Sequence, residues 1–311
     1  MLSRNNIRIK VLQTLYAFLQ TAENDTAVAE RNYLRAVRES YKLYIFNLLY
    51  IIEVVGYNVK DYAIKQKKLA PTEEDKRLTL LLYNNPVAKS IRDNDGFQRL
   101  IRDFKIRAEI NSDLVRTLYQ HFVRSKYFGQ YQAMKRISIR EHQYALVNMY
   151  KTMCGNKNFL EQMEDLFTSW DDDNSLVFAA LKKTIRGMPE NEQFYLHQET
   201  SPEFVHDFGK VLLHTTLRHD EELRQKMVSR LKGWQESRIA IIDTLLIKLA
   251  LCEFMYFPSI PVKVTIKEYT NLAQSYSTSN SKRFVNGILD RLMKELKAQG
   301  KIKKNDEDST E

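Results

Sequence analysis

The sequence predicts an all-α fold, and three observations predict it. Only 9 glycines and 6 prolines punctuate 311 residues, too few for the tight turns of an all-β or doubly wound fold. Apolar residues recur at three- and four-residue spacing in one stripe after another. The 43% apolar content is enough for the core of one large domain or two ordinary ones.

The elements follow in order. Ile7, Val11, Leu15 and Phe18, with Leu12 and Leu19 alongside, make the stripe of a first helix that ends near Gln20, and Arg4 and Arg8 extend the stripe beyond its apolar part. A polar break covers residues 23–27. Helical patterns then occupy 32–55, 73–83, 87–107, 113–127, 139–153, 158–170 and 175–186. This middle section is nearly balanced in charge, contains no internal repeat and spaces its aromatic residues like a core, which predicts a helical bundle.

Beyond it, Pro202 opens a helix over 203–217, and another spans 220–234. Residues 237–255 are apolar on nearly all sides, the pattern of a central helix, which Pro258 and Pro261 stop. Thr265 and Glu268 have the spacing of a capping box for a short helix with Ile266, Tyr269, Ala273 and Tyr276 inward. The loop 277–280 supplies the next cap, and Phe284, Ile288, Leu289, Leu292 and Leu296 form the last stripe. Gly287 inside that stripe costs about 1 kcal/mol relative to alanine, which predicts close packing against a neighbouring helix.

The net charge of +9 points to an acidic partner, with nucleic acid first and a membrane surface second. Residues 1–10 carry +3 through Arg4, Arg8 and Lys10, and residues 276–304 carry +6, so the two ends hold the whole excess. Cys154 and Cys252 lie far apart in apolar surroundings and read as reduced thiols of a cytoplasmic protein. The start has no signal-peptide core, and the most apolar run, 239–257, is broken by Asp243, Lys248 and Glu253, which argues against a membrane span. A Gly-rich phosphate loop, a nucleophile elbow and a Cys/His ligand pair are all missing from the sequence. The six histidines are scattered, and Asp171-Asp172-Asp173 lacks the glycine and distal glutamate of a calcium loop, reading instead as a solvated turn or cap. No catalytic residue, metal site or cofactor is therefore expected.

Two helix starts share an oddity. Arg4 and Arg8 precede the first stripe, and Lys282 and Arg283 occupy the first turn of the last helix, where the partial positive charge of a helix N-terminus makes cations unfavourable unless an anion offsets them. Free amides plus cations make a phosphate site. Tyr16 and Phe284 give each cluster an aromatic neighbour, and cations with rings are what single-stranded RNA recognition requires. The pattern alone fits solvated helix ends and core rings equally well.

Resemblance shifts that balance. The stretch Ile260-Pro-Val-Lys-Val-Thr-Ile-Lys-Glu268, followed by Ser281-Lys-Arg-Phe-Val-Asn-Gly-Ile-Leu-Asp290, resembles the C-terminal signature of NusB proteins. Residues 242–253 resemble that family's central helix in register up to Pro261, Arg8-Ile-Lys-Val-Leu-Gln-Thr-Leu-Tyr16 resembles its first helix, and Phe204-Val-His-Asp207 fits the segment between. The resemblance implies a NusB-like helical bundle that binds boxA-type single-stranded RNA of ribosomal RNA leaders together with NusE, which is also a small-subunit ribosomal protein, and helps RNA polymerase read through terminators. Carried over by position, the RNA-facing residues are Arg4, Arg8, Lys10, Tyr16, Asn280, Lys282, Arg283 and Phe284, and Asp243 falls on the NusE-facing side.

Two departures bear on this reading. Asn5 and Asn6 dilute the arginine-rich start of the family, which implies an RNA affinity that depends on the partner. Residues 23–201 have no counterpart in typical members and read as a large helical insertion after the first helix. The expected organisation is thus a discontinuous RNA-binding core over 1–22 and 202–298, the insertion, and a disordered tail over 299–311. Ribosomal RNA cytosine methyltransferases carry a NusB-like accessory domain, but these 311 residues contain no Gly-rich cofactor domain. A helical scaffold for protein contacts, using the insertion as its surface, is the other alternative. The RNA reading expects the two chain ends to come together as one cationic cradle.

Overall fold

The computed structural model describes residues 1–21, 25–231 and 236–302, and every regular element among them is a helix. The chain divides into two units. A middle unit comprises Met1 and Arg38–Glu199, and a terminal unit comprises Leu2–Val37 with the chain from Thr200 onward. Trp234, expected to end a helix, and residues 303–311 of the expected tail lie outside the described residues.

Helix α1 spans Arg4–Gln20 and starts in a capping box. The Asn6 amide donates to the Ser3 hydroxyl at 3.4 Å, and the Ser3 amide donates to Asn6 Oδ1 at 3.0 Å. An asparagine that seemed to dilute a basic run is therefore the residue that starts the helix.

Helix α2, Thr26–Gln66, is 41 residues long, well beyond the expected 32–55. It is long and apolar enough to cross a membrane, a feature the sequence reading passed over, and 72% of its apolar window is buried within the protein. Leu43 through Ile52 are buried on every side of the helix, as for a core element. Further along come α3 (Glu73–Arg77), α4 (Pro86–Arg92) and α5 (Asp95–Phe104), then α6 (Ser112–Val123) and α7 (Lys126–Gln132). The middle unit closes with α8 (Ile139–Cys154), α9 (Lys157–Leu166) and α10 (Trp170–Gly187).

Side-chain caps explain why the expected helices break where they do. The span expected over 87–107 stops at Asp93 because Asn94 Oδ1 accepts from the Phe97 amide at 2.9 Å and begins α5. The span expected over 113–127 stops at Val123 because Ser125 caps α7. The aspartates 171–173 are the first turn of α10, where carboxylates suit the helix dipole, and Asp173 is buried and accepts from Ser40 at 2.6 Å.

In the terminal unit a π-helical turn, Glu203–Lys210, runs into α11 (Val211–Arg218), followed by α12 (Asp220–Val228). A Cβ on Gly209 would lie 1.9 Å from Tyr33 Oη and 2.5 Å from Ile7 Cγ2, so only glycine permits this approach. Helix α13, Ile241–Tyr256, packs against α1, α11, α12, α14 (Val262–Tyr276) and α15 (Ser281–Ala298), which makes it the central helix its sequence predicts. The expected Thr265/Glu268 capping box does not form. Helix α14 begins at Val262 behind Pro261, so Thr265 is an interior residue with its hydroxyl buried.

Candidate nucleic-acid interface

Arg8 is 2% exposed and Glu253, on α13, is 0% exposed. Arg8 Nε and Nη2 donate to the two Glu253 oxygens at 2.7 and 3.0 Å. The same carboxylate accepts from Thr265 Oγ1 at 3.0 Å and Tyr269 Oη at 2.8 Å. The guanidinium carbon stands 5.3 Å from the Phe208 ring centroid and 5.6 Å from that of Tyr269. Burial alone would lower the Arg8 pKa, but the Glu253 hydrogen bonds outweigh it and hold the group fully charged. Arg8 is therefore a clamp between α1, α13 and α14, and the expectation that it faces RNA fails on burial.

Lys10 is buried as well. The expected cationic stripe on α1 is thus reduced to Arg4, which is exposed, pairs with Glu203 at 3.2 Å and lies 5.3 Å from the Phe204 ring centroid. Tyr16 is 40% exposed further along the helix.

The start of α15 is built differently. Its first turn carries no acidic residue, and Lys282 and Arg283 both reach solvent. Lys282 Nζ donates to the neutral Gln274 Oε1 at 2.8 Å, so its charge is not cancelled there. Asn280 is exposed at the N-cap without capping through its side chain, and Phe284 is half-buried. Gly287, expected to be packed against a neighbour, has no atom within 4 Å of where a Cβ would stand and lies on the exposed face.

Asp243 holds this turn from below. It is 5% exposed, and its Oδ2 accepts from the buried Ser281 hydroxyl at 2.7 Å. The expectation of a partner-facing carboxylate at Asp243 gives way to a buried support for the 277–281 loop. Asp243 and Glu253 lie ten residues apart on α13, about 15 Å by helical rise. Arg8, one turn into α1, and Ser281, at the start of α15, are consequently anchored near opposite ends of the central helix.

Of the expected RNA-facing residues, Asn280, Lys282, Arg283 and Phe284 fall together on one turn, whereas Arg4 and Tyr16 are exposed along α1. Sequence reasoning missed Glu253, Thr265 and Tyr269. One signal was present: a carboxylate in a helix apolar all round needs a buried cation and donors.

Comparison with known proteins matches the C-terminal part of the chain. The NusB family model matches residues 171–294, a span that begins in α10 and does not include α1. The transcription antitermination protein NusB of Chloroherpeton thalassium is 33% identical over 99 residues, 32% of this chain and 47% of that protein. The protein of the same name from Salinibacter ruber is 36% identical over 98 residues, 32% of this chain and 61% of that protein. That from Trichlorobacter lovleyi is 34% identical over 114 residues, 37% of this chain and 75% of that protein. The chain thus spans about half to three-fifths of the first two relatives and three-quarters of the third. No solved structure matches. By the extent and identity of these matches, the chain belongs to the NusB family.

Proposed function

We propose that this protein is a cytoplasmic, non-catalytic transcription antitermination factor whose terminal unit holds boxA-type single-stranded RNA of ribosomal RNA leaders, in company with NusE and the RNA polymerase antitermination complex. The observation that carries the reading is the first turn of α15, where Lys282 and Arg283 stand exposed on a helix start that carries no acidic residue of its own. Arg283 and Lys282 take phosphates. Asn280 offers an amide to base edges, and Phe284 supplies a ring for stacking. Arg4 joins by exchanging Glu203 for a phosphate, and Tyr16 offers a second ring. Arg8 and Lys10 contribute by fixing α1, and Asp243 serves the NusE side only by fixing the loop above it.

The test is fluorescence anisotropy with a boxA leader and a scrambled control, each with and without NusE. Binding to boxA at least tenfold tighter than to the scrambled strand, and tighter again with NusE, is the expected result. Equal affinity for both strands in both conditions rejects the reading.

A further inference from the structure

The middle unit holds a cleft of about 1020 Å3 between the C-terminal end of α2, the α3 segment and the α6–α7 junction. Four cations line it, Lys65, Lys68, Arg77 and Arg124, against two carboxylates, Asp61 and Asp75. Both carboxylates are already committed. Asp61 pairs with Lys65 at 3.0 Å and accepts from Tyr119 Oη at 3.1 Å. Asp75 accepts from Lys68 Nζ at 2.9 Å and from the Thr72 amide at 3.0 Å. Arg77 and Arg124 are exposed, with no carboxylate at ion-pair distance among the described residues. Among the described residues the cleft therefore carries two cations without a paired carboxylate, on the side chains best shaped for forked phosphate recognition. The rest of the lining is more polar than apolar: Thr72, Gln120, Ser125 and Gln132 stand with Leu78, Val123 and Phe128, of which Leu78 and Phe128 are buried.

Exposed arginines among neutral hydrogen-bonding side chains suit a phosphate-bearing ligand with polar edges of its own. An apolar ligand would leave the arginines unmatched, and inorganic phosphate would leave the neutral part of the cleft empty. We infer that this cleft is a second nucleic-acid site, which takes a short run of single-stranded RNA with phosphodiesters on Arg77 and Arg124 and nucleosides in the polar remainder of the cleft. The choice of ribonucleotide among phosphate-bearing molecules rests on the reading of the terminal unit as RNA-binding; the anionic character of the ligand does not.

The experiment uses the full chain and a fluorescein-labelled uridine dodecamer, which lacks boxA sequence. In a K282E/R283E background, which disables the α15 turn, dodecamer binding should persist. Adding R77E/R124E should weaken it at least tenfold and reduce the slope of log K against log salt by about 1.4, at ~0.7 per phosphate contact. The R77Q/R124Q pair, gentler on folding, should give a smaller loss in the same direction. Loss of all dodecamer binding in the K282E/R283E background overturns the inference, as does unchanged affinity on adding R77E/R124E. Uridine monophosphate competing as tightly as the dodecamer overturns the assignment to a strand. A preference for boxA that survives R77E/R124E in the otherwise unaltered chain shows that the terminal site stands on its own, so failure of the cleft leaves that reading intact.

Discussion

The Arg8 guanidinium meets both oxygens of the Glu253 carboxylate, at 2.7 and 3.0 Å, in an interior that leaves neither group in contact with water. A pair of this kind is costly to break because the survivor is a buried, unmatched charge. Arg8→Met should therefore destabilise the protein by about 3–5 kcal/mol, read as a shift of the urea midpoint at unchanged slope. A shift below about 1 kcal/mol, the range of surface pairs, would mean that the clamp does not form in solution.

Gly287 lies within α15 with open space where a side chain would go. Gly287→Ala should raise stability by about 1 kcal/mol through helix propensity alone. If RNA approaches this face closely, the same substitution should lower RNA affinity while the thermal midpoint rises. Destabilisation would show that the glycine serves the fold.

Phe284 is half-buried, so its ring can serve the core or a base. Phe284→Ala should cost about 1–3 kcal/mol of boxA affinity if the ring stacks. Calorimetric titration with RNA beside urea denaturation separates the roles: a stability loss with unaltered affinity returns the ring to the core.

Burial pushes the Cys154 thiol up to about 11 and the Cys252 thiol up to about 12. Both thiols should stay unreactive toward Ellman's reagent at pH 8 in the native protein and react in denaturant. Because the folded values are raised, their contribution to stability is complete below about pH 9 and is lost as pH climbs toward 11 to 12. The half-buried Tyr256, raised to about 12 chiefly by desolvation, acts in the same direction. The urea midpoint should fall steadily above pH 9; a flat profile from pH 9 to 11 would contradict this burial.

What was legible in the sequence follows from what periodicity reports. The central helix was readable because residues 241–256 are apolar all round, and α1 because its stripe is short and clean. Breaks were less readable. Asn94 and Ser125 interrupt apolar patterns by capping the next helix, an act that depends on where the backbone turns rather than on hydrophobic period. The length of α2 was missed because polar residues flank its apolar centre on both sides. At the site, sequence located the cationic turn of α15 but could not tell a solvated arginine from a clamped one. Arg4 and Arg8 sit one helical turn apart, and only the packing of Glu253, Thr265 and Tyr269 around the second makes them different.

The α15 turn is tested most directly by boxA binding of Lys282→Glu with Arg283→Glu, measured across a salt series with NusE present. Loss of at least tenfold in affinity, with a salt slope lower by about 1.4 for two lost phosphate contacts and an unchanged thermal midpoint, is the expected result. Wild-type affinity and slope in that double variant would contradict the assignment of this turn to RNA.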